Sequence, residues 1–173
     1  LIDSYPEVRK QLDLPPLGLK SYKPGAVLAS AGRFSVVAHP LKCPLYLLQT
    51  MRTALGWGLF SSVIDVLRLL RVVLAWAVTD PLAALASSDP TETTEALLKR
   101  LGLSSTIVQQ FLRPFFEAIY VSPLPEQSAG LFSFVLRMLA TGRACLPARG
   151  MRAVPEQLAS SLKKPVKLSI PVE

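Results

Sequence analysis

Apolar residues recur at three- and four-residue spacing along most of the second half of the chain. Between Ser105 and Tyr120 they fall at Ile107, Val108, Phe111, Leu112, Phe115 and Ile119, the spacing of one buried helical face, with Ser104 placed to cap it. Pro114 lies inside this helix and predicts a lost backbone hydrogen bond and a kink, a placement that costs about 3 kcal/mol. Pro123 and Pro125 end it, and Glu126 to Thr141 reads as the next helix, with Leu131, Phe134, Val135, Met138 and Leu139 inward and Gly142 as its stop. Upstream, Leu59 to Val78 is apolar except for Ser61, Ser62 and the triplet-spaced Asp65, Arg68 and Arg71, which form one polar stripe on an amphipathic helix. Asp80-Pro81 and Asp89-Pro90 are helix-start signals, the second opening a run from Thr91 to Leu101 that closes on Lys99, Arg100 and Gly102.

The first forty residues follow a different rhythm. Tyr5 to Leu12 is a short helix candidate; Ala26 to Ser30 and Arg33 to Ala38 read as two strands of a hairpin joined at Ala31-Gly32. Pro44 then opens a helix to about Leu55, broken by Gly56-Trp57-Gly58. At the other end, a loop from Arg143 to Arg152 leads to a helix from Pro155 to Leu162, and Lys163 to Glu173 alternates apolar and polar like a strand. The pattern predicts an α+β chain, mostly helical, with a short β-hairpin and a C-terminal strand. A lone terminal strand needs partners that this sequence hardly supplies, and the chain opens on Leu1 without a signal-peptide pattern. Both features read as a piece of a longer protein.

Composition narrows the function. With 173 residues, 50% hydrophobic and 18% charged, the chain can build a core, and no uninterrupted apolar run reaches the length of a membrane span. The net charge of +7 suits an anionic partner, but it is dispersed. No basic run or interleaved aromatic platform marks a nucleic-acid surface, so nucleic acid is not expected as a partner. Two distant cysteines, Cys43 and Cys145, do not make a disulfide framework, and the single histidine, His39, offers too few ligands for a metal. His39 has neither an adjacent carboxylate nor a GxSxG nucleophile motif, so a hydrolytic triad has no basis. Glu117 reads either as an i to i+4 partner of Arg113 on the polar side of its helix, the preferred reading, or as a substrate-facing carboxylate. No GxGxxG or GxxxxGK phosphate cradle occurs. The loop ACLPARGMRA (Ala144 to Ala153) running into Val154-Pro155-Glu156 reads as an ordinary capped helix or as a helix start whose free N–H groups face an anion.

Three strings in order, FLRPFFEAIY (Phe111 to Tyr120), SAGLFSFVLRMLATGRACLPARGMRAVPEQLASSL (Ser128 to Leu162) and KLSIPVE (Lys167 to Glu173), closely resemble the middle portion of flavin-dependent oxidoreductases. The group is the phytoene desaturase-like and amine oxidase-like one, which includes carotenoid isomerases and protoporphyrinogen oxidase relatives. The opening, SYPEVRKQLDLPPLGLKSYKPGAVLASAGRF (Ser4 to Phe34), resembles the strand pair that follows the first cofactor segment of that group.

The resemblance implies the inserted domain of a two-domain flavoprotein. Residues 1–162 would be the helical substrate-binding domain with its small sheet, and residues 163–173 a strand returning to an FAD-binding domain whose GxGxxG and Gly-Asp segments are not in this chain. It implies FAD as cofactor, with Val172 laid against its adenine and Gly150 and Met151 near it. It implies Phe115, Phe116, Glu117 and Met138 as substrate-facing. No residue is a catalytic acid or base candidate. Arg149 stands where the group usually has the first glycine of Gly-Gly-Met, and Glu117-Ala118 where it usually has Gly-Gly. The expected function is that of a segment of an FAD-dependent oxidoreductase acting on an apolar carotenoid-, tetrapyrrole- or amine-type molecule by desaturation, oxidation or isomerisation. The alternative is a non-catalytic relative serving as a structural or interaction subunit of a larger assembly, membrane-bound or not. Expected partners are the apolar substrate, the FAD-binding segments, and a membrane surface that Arg68 and Arg71 would meet or a larger assembly. The group's members point to a plastid, thylakoid-associated, if the source is eukaryotic, and otherwise to the bacterial cytoplasm or membrane periphery.

Overall fold

A computed structural model describes residues 1–23, 25–30, 33–38, 64–65, 67–69, 71–72, 74, 79–168 and 170. The expected helix from Pro44 to Leu55, its Gly-Trp-Gly break, His39, Cys43 and Val172 lie outside the described residues. The chain divides into two compact units, one made of Leu1–Tyr22 with Gly142–Glu173 and the other of Lys23–Thr141. The boundary expected at 162/163 falls inside the first of these.

The first unit joins stretches far apart in sequence. Helices α1 (Pro6–Gln11) and α2 (Leu14–Leu17) precede the short strand β1 (Lys20–Ser21). β1 pairs antiparallel with a strand at Cys145–Leu146, in the register Lys20 with Leu146 and Ser21 with Cys145. Leu12, Leu17 and Ala153 form the small core between them, with Val8, Leu14 and Val154 packed against it. Asp3, buried, accepts from the backbone N–H of Arg143 at 2.7 Å and from its guanidinium at 2.8 Å. Burial pushes this carboxyl up, but the two Arg143 donors outweigh it and hold the group below the usual aspartate range. Gln157 adds a second cross-link, accepting from the Asp13 N–H at 3.1 Å and donating to its carbonyl at 2.8 Å.

Two expectations for this unit change. The final helix spans Ala153–Ser160, not Pro155 to Leu162. It starts early because the N–H groups of Ala153 and Val154 already donate to the Gly150 and Met151 carbonyls. The expected C-terminal strand is also absent from the described part of its stretch, residues 163–168 and 170. Alternating side chains become a strand only where a neighbour completes the ladder.

The second unit carries the hairpin, β2 (Gly25–Ser30) against β3 (Arg33–Ala38), paired from Gly25 with Ala38 to Ser30 with Arg33 as expected. The described residues between 64 and 74 are helical. Next come α3 (Pro81–Ala86), capped by the Asp80 carboxylate on the Ala83 N–H at 2.7 Å, and α4 (Thr94–Arg100). α4 begins three residues later than the Asp89-Pro90 signal predicts. Asp89 is occupied by the N–H and hydroxyl of Thr91, at 2.8 and 2.7 Å, and Thr93 caps the helix instead.

The helix expected from Ser105 to Tyr120 is three joined pieces: α5 (Ser105–Ile107), a π turn at Val108–Leu112, and α6 (Arg113–Tyr120). The Arg113 N–H reaches back five residues to the Val108 carbonyl. This wide turn takes up the space the Pro114 ring needs, so the proline enters at the start of α6 rather than in the middle of a regular helix. α7 spans Ala129–Thr141 and ends, as expected, before Gly142. It starts after Glu126 because Leu124–Glu126 forms a 3₁₀ turn and the Gln127 carbonyl accepts from both the N–H and the hydroxyl of Thr94, at 2.7 and 2.9 Å. β4 is Cys145–Leu146 and α8 is Ala153–Ser160.

The core of this unit is Leu97, Leu98, Leu112, Phe116, Leu124, Ala129, Phe132 and Val135. Of the polar stripe Asp65, Arg68, Arg71, the two arginines are exposed, but Asp65 is not. Asp65 is buried and accepts from the N–H and hydroxyl of Ser104, the residue that caps α5, and Arg68 donates to the Gly102 carbonyl beyond the end of α4. Helix-end carbonyls attract a cation, and a helix-start serine presents donors to a carboxylate, so Asp65 and Arg68 fasten the α4–α5 junction.

Two substitutions test this packing. Val121 ends α6 with φ 53°, the left-handed region, while its side chain is 89% exposed. Val121→Gly removes that strain without losing packing and is expected to raise stability by about 0.5–1 kcal/mol in a urea melt. Gly130 lies against Ser88, where an added Cβ would overlap the hydroxyl and stand 2.8 Å from the Ser88 Cβ. Gly130→Ala is expected to cost about 1–3 kcal/mol, and adding Ser88→Gly should recover part of the loss; an unchanged melting midpoint in Gly130→Ala would rule out the close approach.

Candidate functional site

The segment from Pro147 to Arg152 makes a tight turn at the head of α8. The Gly150 N–H donates to the Pro147 carbonyl at 2.9 Å, and the Ala148 N–H ties the turn to Leu17 at 3.0 Å. Gly150 has φ +81°, which favours glycine, and a Cβ built there meets nothing within 4 Å. The backbone is therefore open to close approach at this residue. Arg149 has no left-handed φ, which explains why a bulky side chain is tolerated where the resemblance leads one to expect glycine. Arg152 pairs with Glu156 at 2.8 Å, and Arg149 lies 3.8 Å from the same carboxylate. Met151 is exposed. Beside the turn is a groove of about 250 Å³ lined by Pro16, Leu17, Arg149, Ala153, Glu156 and Gln157.

The anion reading of this helix start does not hold in its simplest form. The N–H groups of Ala153 and Val154 are used within the turn, at 3.1 Å each, and Pro155 has none. What the turn offers an anion is the exposed charge of Arg149 and Arg152 and an open backbone at Gly150.

The other expected site residues lie in the second unit. Phe116 is in its core, 4.6 Å between ring centroids from Phe132, and Met138 is buried. Phe115, half-buried, stacks on Phe111 at 5.8 Å and meets Phe116 edge-on at 5.3 Å. Glu117 makes the expected pair with Arg113, at 2.9 Å, and also accepts from the Leu124 N–H at 3.1 Å. It thereby closes the turn that Val121 begins. The Leu124 N–H, then the Arg113 guanidinium, hold its carboxyl below the usual glutamate range. The structure thus brings Phe115, Phe116 and Glu117 together on α6, while Gly150 and Met151 belong to the first unit.

Among the described residues of the second unit are cavities of about 300 Å³. One is lined by Leu98, Leu103, Val108, Arg113, Leu124 and Pro125 among others. Another lies between α3, α4 and α7 and includes Arg137, a residue the sequence reading passed over. Neither is lined by Phe115, Phe116, Glu117 or Met138. The signal for Arg137 was its place as the single cation of an otherwise apolar helix. Cys145 is buried with a free thiol donating to the Arg143 carbonyl at 3.2 Å, the behaviour of a small core residue. Among the described residues no helix is long and apolar enough to cross a membrane, and no group of three or more side chains could hold a metal ion.

The sequence profile of the flavin containing amine oxidoreductases matches residues 16–173. The chain belongs to that family. No curated protein and no solved structure matches it. Membership makes this a flavoprotein oxidoreductase sequence and implies a flavin cofactor. The residues at the α8 turn fit such a group: Gly150 leaves the backbone uncovered and two arginines stand beside it.

The Glu117 contacts predict a pH dependence. A carboxyl held down in the folded state contributes stability that is present above its unfolded-state value and is lost as pH falls through the folded one. Glu117→Gln should therefore melt below the native chain at neutral pH, and the two midpoints should converge as the medium is acidified below the ordinary glutamate range; a constant offset would show that the charge is not what holds the turn.

Proposed function

We propose that the chain is the substrate-side portion of an FAD-dependent oxidoreductase that oxidises, desaturates or isomerises an apolar molecule of carotenoid, tetrapyrrole or amine type. The observation that carries the reading is the family match across residues 16–173. The composition supports it: a chain that is 50% hydrophobic and folds its second half into apolar helices suits walls for an apolar substrate. FAD, when bound, supplies the two-electron chemistry. The residues of this chain bind, orient and exclude water. Gly150 and Met151 lie on the cofactor side, as does Val172 by the resemblance. Phe115, Phe116, Glu117 and Met138 shape the substrate side from within, Phe116 and Met138 as core supports and Glu117 by fixing the end of α6.

The exposed apolar side chains of Val27, Phe34, Leu82 and Ile119 support a surface that takes its substrate from a membrane or from a larger assembly. On this reading the setting is a thylakoid-associated plastid location or a bacterial membrane periphery.

The test is the absorption spectrum of the protein purified from its natural source. Blue and near-ultraviolet flavin bands are expected, with FAD released on acid denaturation, and anaerobic addition of an apolar substrate should bleach them. Flavin-free protein of the natural mass would overturn the proposal in favour of a structural or interaction subunit.

A further inference from the structure

One face of α7 is formed by Gly130, Ser133, Phe134 and Arg137, at the three- and four-residue spacing of a helical stripe, and all four line the cavity of about 300 Å³ between α3, α4 and α7. The opposite walls are apolar, with Pro81, Ala84 and Leu85 from α3 and Leu97 from α4. Ser133 leaves open a volume that a larger side chain at that position would fill. The cavity therefore joins these apolar walls to charged ones: Asp89, Glu92 and Arg100 also line it, and Arg137 is its buried charge.

Arg137 is 8% exposed. A guanidinium cannot shed its proton in a protein, so burial does not neutralise it. Its described partners are the hydroxyl of Thr79, at 3.2 Å, and the Thr79 carbonyl, which take two of its N–H donors and leave others. No carboxylate pairs with it among the described residues, and Glu173 is the one acidic residue of the chain outside them. The two carboxylates in the cavity wall are committed elsewhere: Glu92 to Arg100 at 2.7 Å, and Asp89 to Thr91. A buried charge without a counter-ion is costly unless something of opposite sign meets it.

We propose that this cavity binds a carboxylic acid with an apolar tail, its carboxylate on Arg137 and its tail against the α3 and α4 walls. A planar guanidinium with donors to spare matches a carboxylate. A monoanion suits the site better than a phosphate dianion, because Asp89 and Glu92 in the wall repel additional negative charge. The proposal does not depend on the flavin reading, since none of the residues it uses lies at the α8 turn.

The experiment titrates the full chain with octanoate and, as an uncharged match, 1-octanol by calorimetry. Octanoate is expected to bind about tenfold more tightly than 1-octanol, the scale of a charge-assisted hydrogen bond. Arg137→Met should remove that preference while leaving 1-octanol binding in place, and Ser133→Leu, which fills the pocket, should weaken both. Equal affinity for the two probes, or octanoate binding undiminished in Arg137→Met, would overturn the proposal. If Arg137→Met fails to fold, Arg137→Lys and Ser133→Leu decide: undiminished octanoate affinity in both overturns it, and a loss confined to octanoate in the first with a loss of both probes in the second supports it.

Discussion

Phe132 has no exposed surface, and its ring meets that of Phe116 at 4.6 Å. This contact between α6 and α7 is the constraint on which the helical unit depends, because it fixes the rotation of α7 about its own axis. At roughly 100° per residue, turning Phe132 toward α6 sends Gly130, Phe134 and Arg137 to the far side of the helix, with Ser133 on the flank beside them. That side carries Phe134, but at Gly130 and Ser133 it has only small residues. Gly130 lets Ser88, just beyond α3, approach at the near end, and beyond it the stripe leaves the cavity that Arg137 lines. The pocket is thus a consequence of a well-packed aromatic pair on the other face.

The same logic explains the turn after α6. Phe116 holds α6 in the core, so the chain must leave the helix sharply to bring Leu124 back beneath it, and Leu124 is as deeply buried as Phe116. A left-handed Val121 makes the reversal and the Glu117 carboxylate closes it on the Leu124 N–H. Where the resemblance leads one to expect two glycines, this chain has Glu117-Ala118, and the carboxylate so introduced has a structural task at the end of its own helix.

What the sequence showed plainly was local. The pairing of Gly25–Ser30 with Arg33–Ala38, the Asp80 cap with Pro81 behind it, the Ser104 cap and the Arg113–Glu117 pair each depend on residues within a few positions of one another, which is the range that periodicity and capping rules read. The pairing of Lys20–Ser21 with Cys145–Leu146 and the Asp3–Arg143 bridge join the two ends of the chain, and nothing in either segment names the other. The triplet spacing of Asp65 and Arg68 showed a polar stripe, but not that its first two residues reach Ser104 and Gly102 more than thirty positions away. The family was legible through the order of the RPFF, FVLRMLATG and LPARGMRAVPEQLA strings, and the profile match bears that out. The π turn was half legible: Pro114 announced a disturbance, but not that it would be absorbed upstream as a wider turn rather than as a break.

The buried polar side chains show which of these long-range links carry the fold. Asp3, Asp65 and Thr94 each bind a segment remote in sequence, and each has its strongest groups matched: Asp3 by the N–H and guanidinium of Arg143, Asp65 by Ser104 and Arg68, Thr94 by the Gln127 carbonyl. In every one of the three, a carboxylate meets donors or a hydroxyl meets a carbonyl, so burial leaves no charge or donor unanswered. Arg137 departs from the pattern. It also reaches a remote residue, Thr79, but the groups it meets there are a neutral hydroxyl and carbonyl, which orient a guanidinium without balancing its charge. A residue whose task was only to fasten Thr79 could do so with a neutral donor such as an amide. A full charge beside an open cavity is the feature that the contacts of Arg137 among the described residues leave over, and an anionic ligand accounts for it with the donors Thr79 does not use.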